Sequence, residues 1–283
     1  MRRSFKSTLA GLALAALAIS GAAPALADSG SSRSDGDAYF TSEEAADYSK
    51  DVEKRLAESG TRVAIVFRAG RSRDKLPDGI DYTHGAFWVY QPIQREDGST
   101  MKGYVVWNLF HGDGETLPRT QSELVQDFPF DFVTGAKAED LAVIVPTPSM
   151  QKRIMTMMAD GRYEAVHDAD YSVIASPFDD KYQNCTEFLL DVVAAAAWQT
   201  TDYQQLKLNL SAHFEASTVK TGPLARLFGP LVDEQVKLGD HRGKPIRTVS
   251  YESLARFMLD NGYADETFKV TPSSVGGTRI AMR

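Results

Sequence analysis

One cysteine, Cys185, stands alone in a chain of 283 residues. It lies in Tyr182-Gln183-Asn184-Cys185-Thr186-Glu187-Phe188, where a helix is expected to begin. Asn184 is a good N-cap, and Glu187 stands where the return half of a capping box would be. A thiol in the first turn of a helix feels the positive end of the macrodipole, which favours the thiolate, the nucleophilic form. The N–H groups of that turn could also stabilise an oxyanion. The other reading of a lone cysteine is a small hydrophobe packed in a core.

A nucleophilic thiol needs a base, usually histidine, and the base needs an orienting group. Of the five histidines, His167, His213 and His241 lie in polar or turn contexts that read as surface. His84 differs. It opens an aromatic-rich strand directly before Gly85, which permits close approach of another backbone or a substrate. Alternation puts His84, Ala86 and Trp88 on one face, and Tyr104, Val106, Asn108 and Phe110 share a face of the next strand. If Tyr90 pairs with Tyr104, Asn108 becomes a diagonal neighbour of His84, within side-chain reach. An amide in an apolar strand calls for a fixed partner, and holding an imidazole tautomer is one such task. His111, at the end of the same strand, is the rival third member. Arg68, Arg71 and Arg73 precede the His84 strand in what reads as a polar turn, and are candidates for holding a substrate carboxylate or phosphate. His111, Asp113 and Glu115 form only a weak metal pattern, without a zinc-type or EF-hand spacing, so no metal and no cofactor is expected.

The compartment bears on the thiol. Arg2, Arg3 and Lys6, the apolar stretch Thr8 to Ile19 and Ala25-Leu26-Ala27 compose a secretory signal over residues 1–27. The expected mature chain starts at Asp28, is exported across the inner membrane, most simply to the periplasm, and keeps no transmembrane anchor. Cysteines in an oxidising compartment are normally paired. One left over implies an intermolecular partner or a thiol kept for its chemistry. The net charge of −7 disfavours nucleic acid as a partner.

The elements that must position these groups follow from periodicity and caps. Residues 28–40 are polar and Ser/Gly-rich and read as a disordered leader, followed by a single domain over 41–283. Thr41 to Ser59 is expected to be helical, and Arg62 to Phe67, Tyr82 to Tyr90, Tyr104 to Phe110 and Leu141 to Val145 to be strands. A Met-rich helix over Ser149 to Asp160 and a short strand over Tyr171 to Ser176 precede the Cys185 helix. Further helices are expected at Tyr203 to Phe214 and Ser250 to Asn261, with irregular chain over Thr221 to Leu238 and a final strand at Phe268 to Thr271. Strands grouped apart from helices indicate an α+β fold with an antiparallel sheet packed against helices.

A histidine on a strand, a polar residue on the next strand and a later cysteine opening a helix resembles the circularly permuted NlpC/P60 branch of the papain-like hydrolases. Thr83-His84-Gly85-Ala86-Phe87-Trp88-Val89 and Asn184-Cys185-Thr186-Glu187-Phe188 look like the DUF2145 family of exported bacterial proteins. The resemblance implies a papain-like core with an additional C-terminal helical region. It implies Cys185 as nucleophile, His84 as base and Asn108 in the polar third position, where His or Glu is more usual. The expected activity is hydrolysis or acyl transfer at an amide or ester bond, with a peptide or acyl substrate and cell-wall peptide first. The alternatives are a non-catalytic periplasmic binding or assembly module, or a redox-sensing single-thiol protein.

Overall fold

The β-branched run Val63–Arg68 forms β1, buried along its whole length in a computed structural model that describes residues 38–220 and 233–273. Residues 1–27, expected to be a signal, most of the expected leader and part of the irregular stretch after Thr221 lie outside the described residues. Phe40, assigned from sequence to the leader, is buried and meets the Tyr48 ring at 5.5 Å.

Helix α1 (Ser42–Glu58) precedes β1, and a capping box between Thr41 and Glu44 fixes its start. Strands β2 (His84–Gln94) and β3 (Thr100–His111) form a hairpin in which Tyr90 pairs with Tyr104. Strand β4 (Ser122–Asp127) and the one-and-a-half-turn helix α2 (Pro129–Thr134) follow. Then come β5 (Leu141–Pro146), α3 (Pro148–Asp160), α4 (Cys185–Trp198) and α5 (Tyr203–His213). The short pair β6 (Ser217–Thr218) and β7 (Arg247–Thr248), helix α6 (Tyr251–Asp260) and β8 (Ala264–Val270) complete the order.

The main sheet has six antiparallel strands in the order β4-β3-β2-β1-β5-β8. Its pleat sends Ile65, Phe67, Phe87 and Leu109 to one face, under α3, α4, α5 and α6. Val66, Ala86, Trp88 and Val106 face the other way, under α1 and α2. Helices on both faces make a three-layer α+β molecule.

Two expectations change, and two elements are new. The C-terminal region is no appendage: α6 packs into the larger core and β8 is an edge strand of the sheet, tied to α1 by the Tyr48 hydroxyl on the Val270 carbonyl at 2.5 Å. Tyr171 to Ser176 is not a strand but a stretch joined to Gln183 by one isolated bridge. Finally, β4 and α2 carry no alternation or long periodicity, and both went unread from the sequence.

Candidate active site

Helix α4 begins at Cys185 because the chain before it is pinned. The Asn184 side chain accepts from the Glu187 N–H at 2.9 Å and donates to the Val173 carbonyl at 3.2 Å. Thr186 donates to the Val249 carbonyl at 2.9 Å. Glu187 does not close a capping box. Its carboxylate turns inward to Lys207 Nζ at 2.7 Å, which also meets Asp191 at 2.9 Å, all three side chains being buried. From Cys185 to Ala196 every residue of α4 is buried, so the helix lies between the sheet and its helical neighbours rather than on the surface.

The thiol meets the sheet at the point where β1 ends and β2 begins. Cys185 Sγ donates to the Thr83 carbonyl at 3.7 Å, and the Thr83 N–H in turn donates to the Arg68 carbonyl at 3.1 Å. The N–H groups of Gly85 and Thr186 also face the sulfur. The thiol therefore touches the peptide groups on both sides of His84. Gly85 allows this: a Cβ there would come within 2.7 Å of Leu189 in α4 and of Phe67. The expected close approach at Gly85 is that of helix α4.

His84 is turned toward α2. Its ring stacks on Phe110, with centroids 4.9 Å apart and planes 10° apart, and Phe132 lies at 5.6 Å. Its Nε2 lies 2.9 Å from Asn108 Oδ1, and Asn108 Nδ2 donates to Asp127 Oδ1 at 2.9 Å. The second bond fixes the first. An amide that donates to a carboxyl presents its oxygen to the ring, so His84 Nε2 carries the proton and Nδ1 is the basic nitrogen. Asn108 is fully buried, and leaving such an amide without its partners would cost about 1–3 kcal/mol.

Asp127 escaped the sequence reading. It ends an edge strand of mixed polarity, immediately before Phe128-Pro129, and only that Pro at a helix start marks the boundary. Burial and the neighbouring Asp131 push its carboxyl up to about 7, against the pull of Arg68 and of Asn108.

The three arginines separate. Arg68 is not in a turn: it is the last residue of β1, 1 % exposed, paired in register with His84. Its Nη1 donates to the Phe132 carbonyl at 2.5 Å, and the guanidinium carbon lies 4.9 Å from the Phe132 ring centre. Burial lowers its pKa to about 10, with Asp127 and Cys185 opposing, so it stays charged at neutral pH. Arg73 is bound to Asp140 at 2.7 Å and lies over Tyr82, which makes it a structural cation of the loop. Arg71 lies in the bend after β1, half-buried. Arg68 and Arg73 are thus each engaged by a protein partner.

The rival histidines lie elsewhere. His111 faces the other side of the sheet, with Nδ1 3.0 Å from Gln235 Nε2 and its ring near Tyr171. His241, expected at the surface, is buried with Nε2 at 2.9 Å from the Ile174 carbonyl. His167 is half-buried against Ser122 and Phe188, and burial lowers its pKa. Asp113 caps its own turn through the N–H groups of Glu115, Thr116 and Leu117, which accounts for the acidic run beside His111. Among the described residues no group of three or more His, Cys, Asp or Glu side chains is placed to hold a metal ion, and no helix is long and apolar enough to cross a membrane.

Burial pushes the Cys185 thiol up, opposed by the N–H groups of Gly85 and Thr186 and by the Arg68 charge. The expected preference for thiolate is thus outweighed by desolvation in the resting molecule. Cys185 and His84 are only 7 % and 8 % exposed. Two surface grooves, of about 350 Å³ along α3 and about 440 Å³ beside the β2–β3 hairpin, include neither residue.

The profile of a bacterial protein family, described as an uncharacterized protein conserved in bacteria (DUF2145), matches residues 55–258, well over half of the chain. The chain belongs to the DUF2145 family. No curated protein and no solved structure matches it. The matched span runs from α1 to α6 and so holds Arg68, His84, Asn108, Asp127 and Cys185.

Proposed function

We propose that this DUF2145 protein is an exported cysteine hydrolase or acyltransferase with a papain-like core, acting on an amide or ester bond. The observation that carries the reading is the Asn108–His84 bond beside a thiol that opens a buried helix. A Cys, a His and an Asn that holds the His can together perform nucleophilic acyl transfer. Cell-wall peptide is the first substrate class for a periplasmic protein, and a lipid or other acyl ester the second.

The resting thiol is neutral, so proton transfer accompanies attack. Cys185 Sγ bonds to the substrate carbonyl carbon as its proton passes to His84 Nδ1. Asn108 holds the Nε2 proton and stabilises the imidazolium. The carbonyl electron pair collects on oxygen, which the N–H groups of Cys185 and Gly85 are candidates to receive. His84 then returns the proton to the leaving amine or alcohol, and a thioester remains. Water, or an acceptor in the transferase case, gives a proton to His84 and displaces the sulfur, which takes that proton back.

The test is turnover of peptidoglycan stem peptides and acyl esters by the mature protein, with intact-mass detection of an acyl adduct. Cys185→Ala should abolish the adduct and His84→Ala should slow turnover about 10²–10⁴-fold. Asn108→Ala should cost less than His84→Ala. Turnover that survives Cys185→Ala sinks the reading. The burial of Cys185 and its raised thiol favour a second reading, a binding or assembly module whose thiol is inert. No adduct with any electrophile under native conditions would establish that one.

A further inference from the structure

An amide can hold an imidazole in either sense. With its oxygen toward Nε2 it leaves Nδ1 as the base, and with its nitrogen toward Nε2 it puts the ring proton on Nδ1. The rings around His84 do not choose between these. Phe110 stacks on it and Phe132 flanks it, which fixes a plane common to both tautomers. Bulk water does not choose either, because Asn108 is fully buried. The choice is made one strand further out. Asp127 Oδ1, on the last residue of β4, accepts from Asn108 Nδ2 at 2.9 Å, while Asn108 Oδ1 lies 2.9 Å from His84 Nε2. The register sets Asp127 opposite Val106, two residues from Asn108 and so on the same face of β3. The three side chains therefore form one line across β4, β3 and β2, which are neighbours in the sheet.

We propose that Asp127 is a positioning residue for His84: through Asn108 it selects the tautomer that leaves Nδ1 free to act as the base. An ionised carboxylate only accepts, so it takes the amide nitrogen and turns the amide oxygen to the ring. Without that acceptor the buried amide is free to turn over, and the ring proton follows it. The inference rests on the reading of His84 as the general base, and adds to it the residue that keeps the basic nitrogen in place. A packing role for Asp127 would leave the tautomer alone, which makes the tautomer the readout.

The test is the nitrogen NMR spectrum of the imidazole in the mature protein, isotope-labelled in histidine. It is recorded at about pH 9, where imidazole is ordinarily neutral and Asp127 is ionised. A His84→Gln spectrum identifies the His84 signals among those of the five histidines. The wild type should carry the ring proton on Nε2. Asp127→Leu, which removes the acceptor at similar bulk, should add a population protonated on Nδ1. Asp127→Asn, which keeps an oxygen for the bond, should restore most of the wild-type signal. On the stem peptide or acyl ester that the wild type turns over, kcat should fall about tenfold in Asp127→Leu with KM nearly unchanged. A wild-type proton on Nδ1 overturns the inference without any variant. So does an Asp127→Leu spectrum like that of the wild type, or a tautomer that moves while kcat does not. If Asp127→Leu does not fold, Asp127→Ala is read in the same way, the position being only half-buried. A tautomer that shifts in a protein without turnover would sink the hydrolase reading and leave the selection by Asp127 standing. Turnover with an unmoved tautomer would sink this inference only.

Discussion

Each polar residue at the site is fixed by at least one bond that also constrains its neighbour. The Asn108 amide gives its nitrogen to Asp127 and its oxygen to the ring, and that orientation sets the His84 tautomer. Asp127 carries the same logic into pH dependence. Its carboxyl is raised to about 7 in the fold against about 3.9 for a free aspartate, so the folded state favours the neutral form. That contribution is fully present below about pH 4 and is lost as pH rises through about 7. Thermal unfolding of wild type and Asp127→Asn should therefore diverge over that window, the wild type losing stability relative to the variant. Parallel curves from pH 4 to pH 8 would mean that Asp127 is not held in the protonated form.

At the scale of elements, α4 is positioned by two contacts of opposite chemistry. Gly85 lets its apolar side sit within van der Waals reach of β2. On its other side Lys207 of α5 neutralises Glu187 and Asp191, with Gln183 and Tyr203 also bonded to Asp191. Burial raises the Glu187 carboxyl well above its usual range, against the pull of Lys207. Removing the one cation leaves two buried carboxyls facing each other. Lys207→Met should cost about 3–5 kcal/mol at pH 8 in urea unfolding, the range for breaking a buried pair. The cost should shrink at pH 5, where the raised Glu187 carboxyl takes up a proton. An equal cost at both values would show that Lys207 contributes packing and not charge.

Across the described residues, six strands form one main sheet with helices on both faces, so the thiol comes from α4 on one face while the imidazole is carried by the sheet and turned toward α2 on the other. The thiol reaches the sheet where β1 ends and β2 begins, at the Thr83 carbonyl just before His84. The site therefore depends on the closure of the entire sandwich, including β8 at the far edge. Export adds one expectation at this scale. If residues 1–27 are a secretory signal, the protein recovered from the periplasmic fraction should have the mass of a chain beginning at Asp28. A full-length cytoplasmic protein would remove the compartment argument for a chemically purposeful thiol.

The sequence alone determined the elements whose period and caps are local. The capped α1, the buried strands β1, β2, β3 and β5 and the Asn184-capped α4 follow from residues close together in the chain, whereas the Tyr90–Tyr104 register, only a condition in the sequence, is supplied by the structure. The pairing of His84 with Asn108 followed from that register, because alternation in a hairpin has a fixed period. Tertiary structure decided the rest. Arg68 reads as the start of a polar turn until Gly135 and Phe132, more than sixty residues away, provide its socket. Asp127 lies on a short edge strand that alternation does not mark. Glu187 looks like a capping residue until Lys207 claims it, and the Cys185 thiol looks acidic until the closed core desolvates it. Caps and periods are local. Burial and charge pairing are sums over residues that only the completed fold brings together.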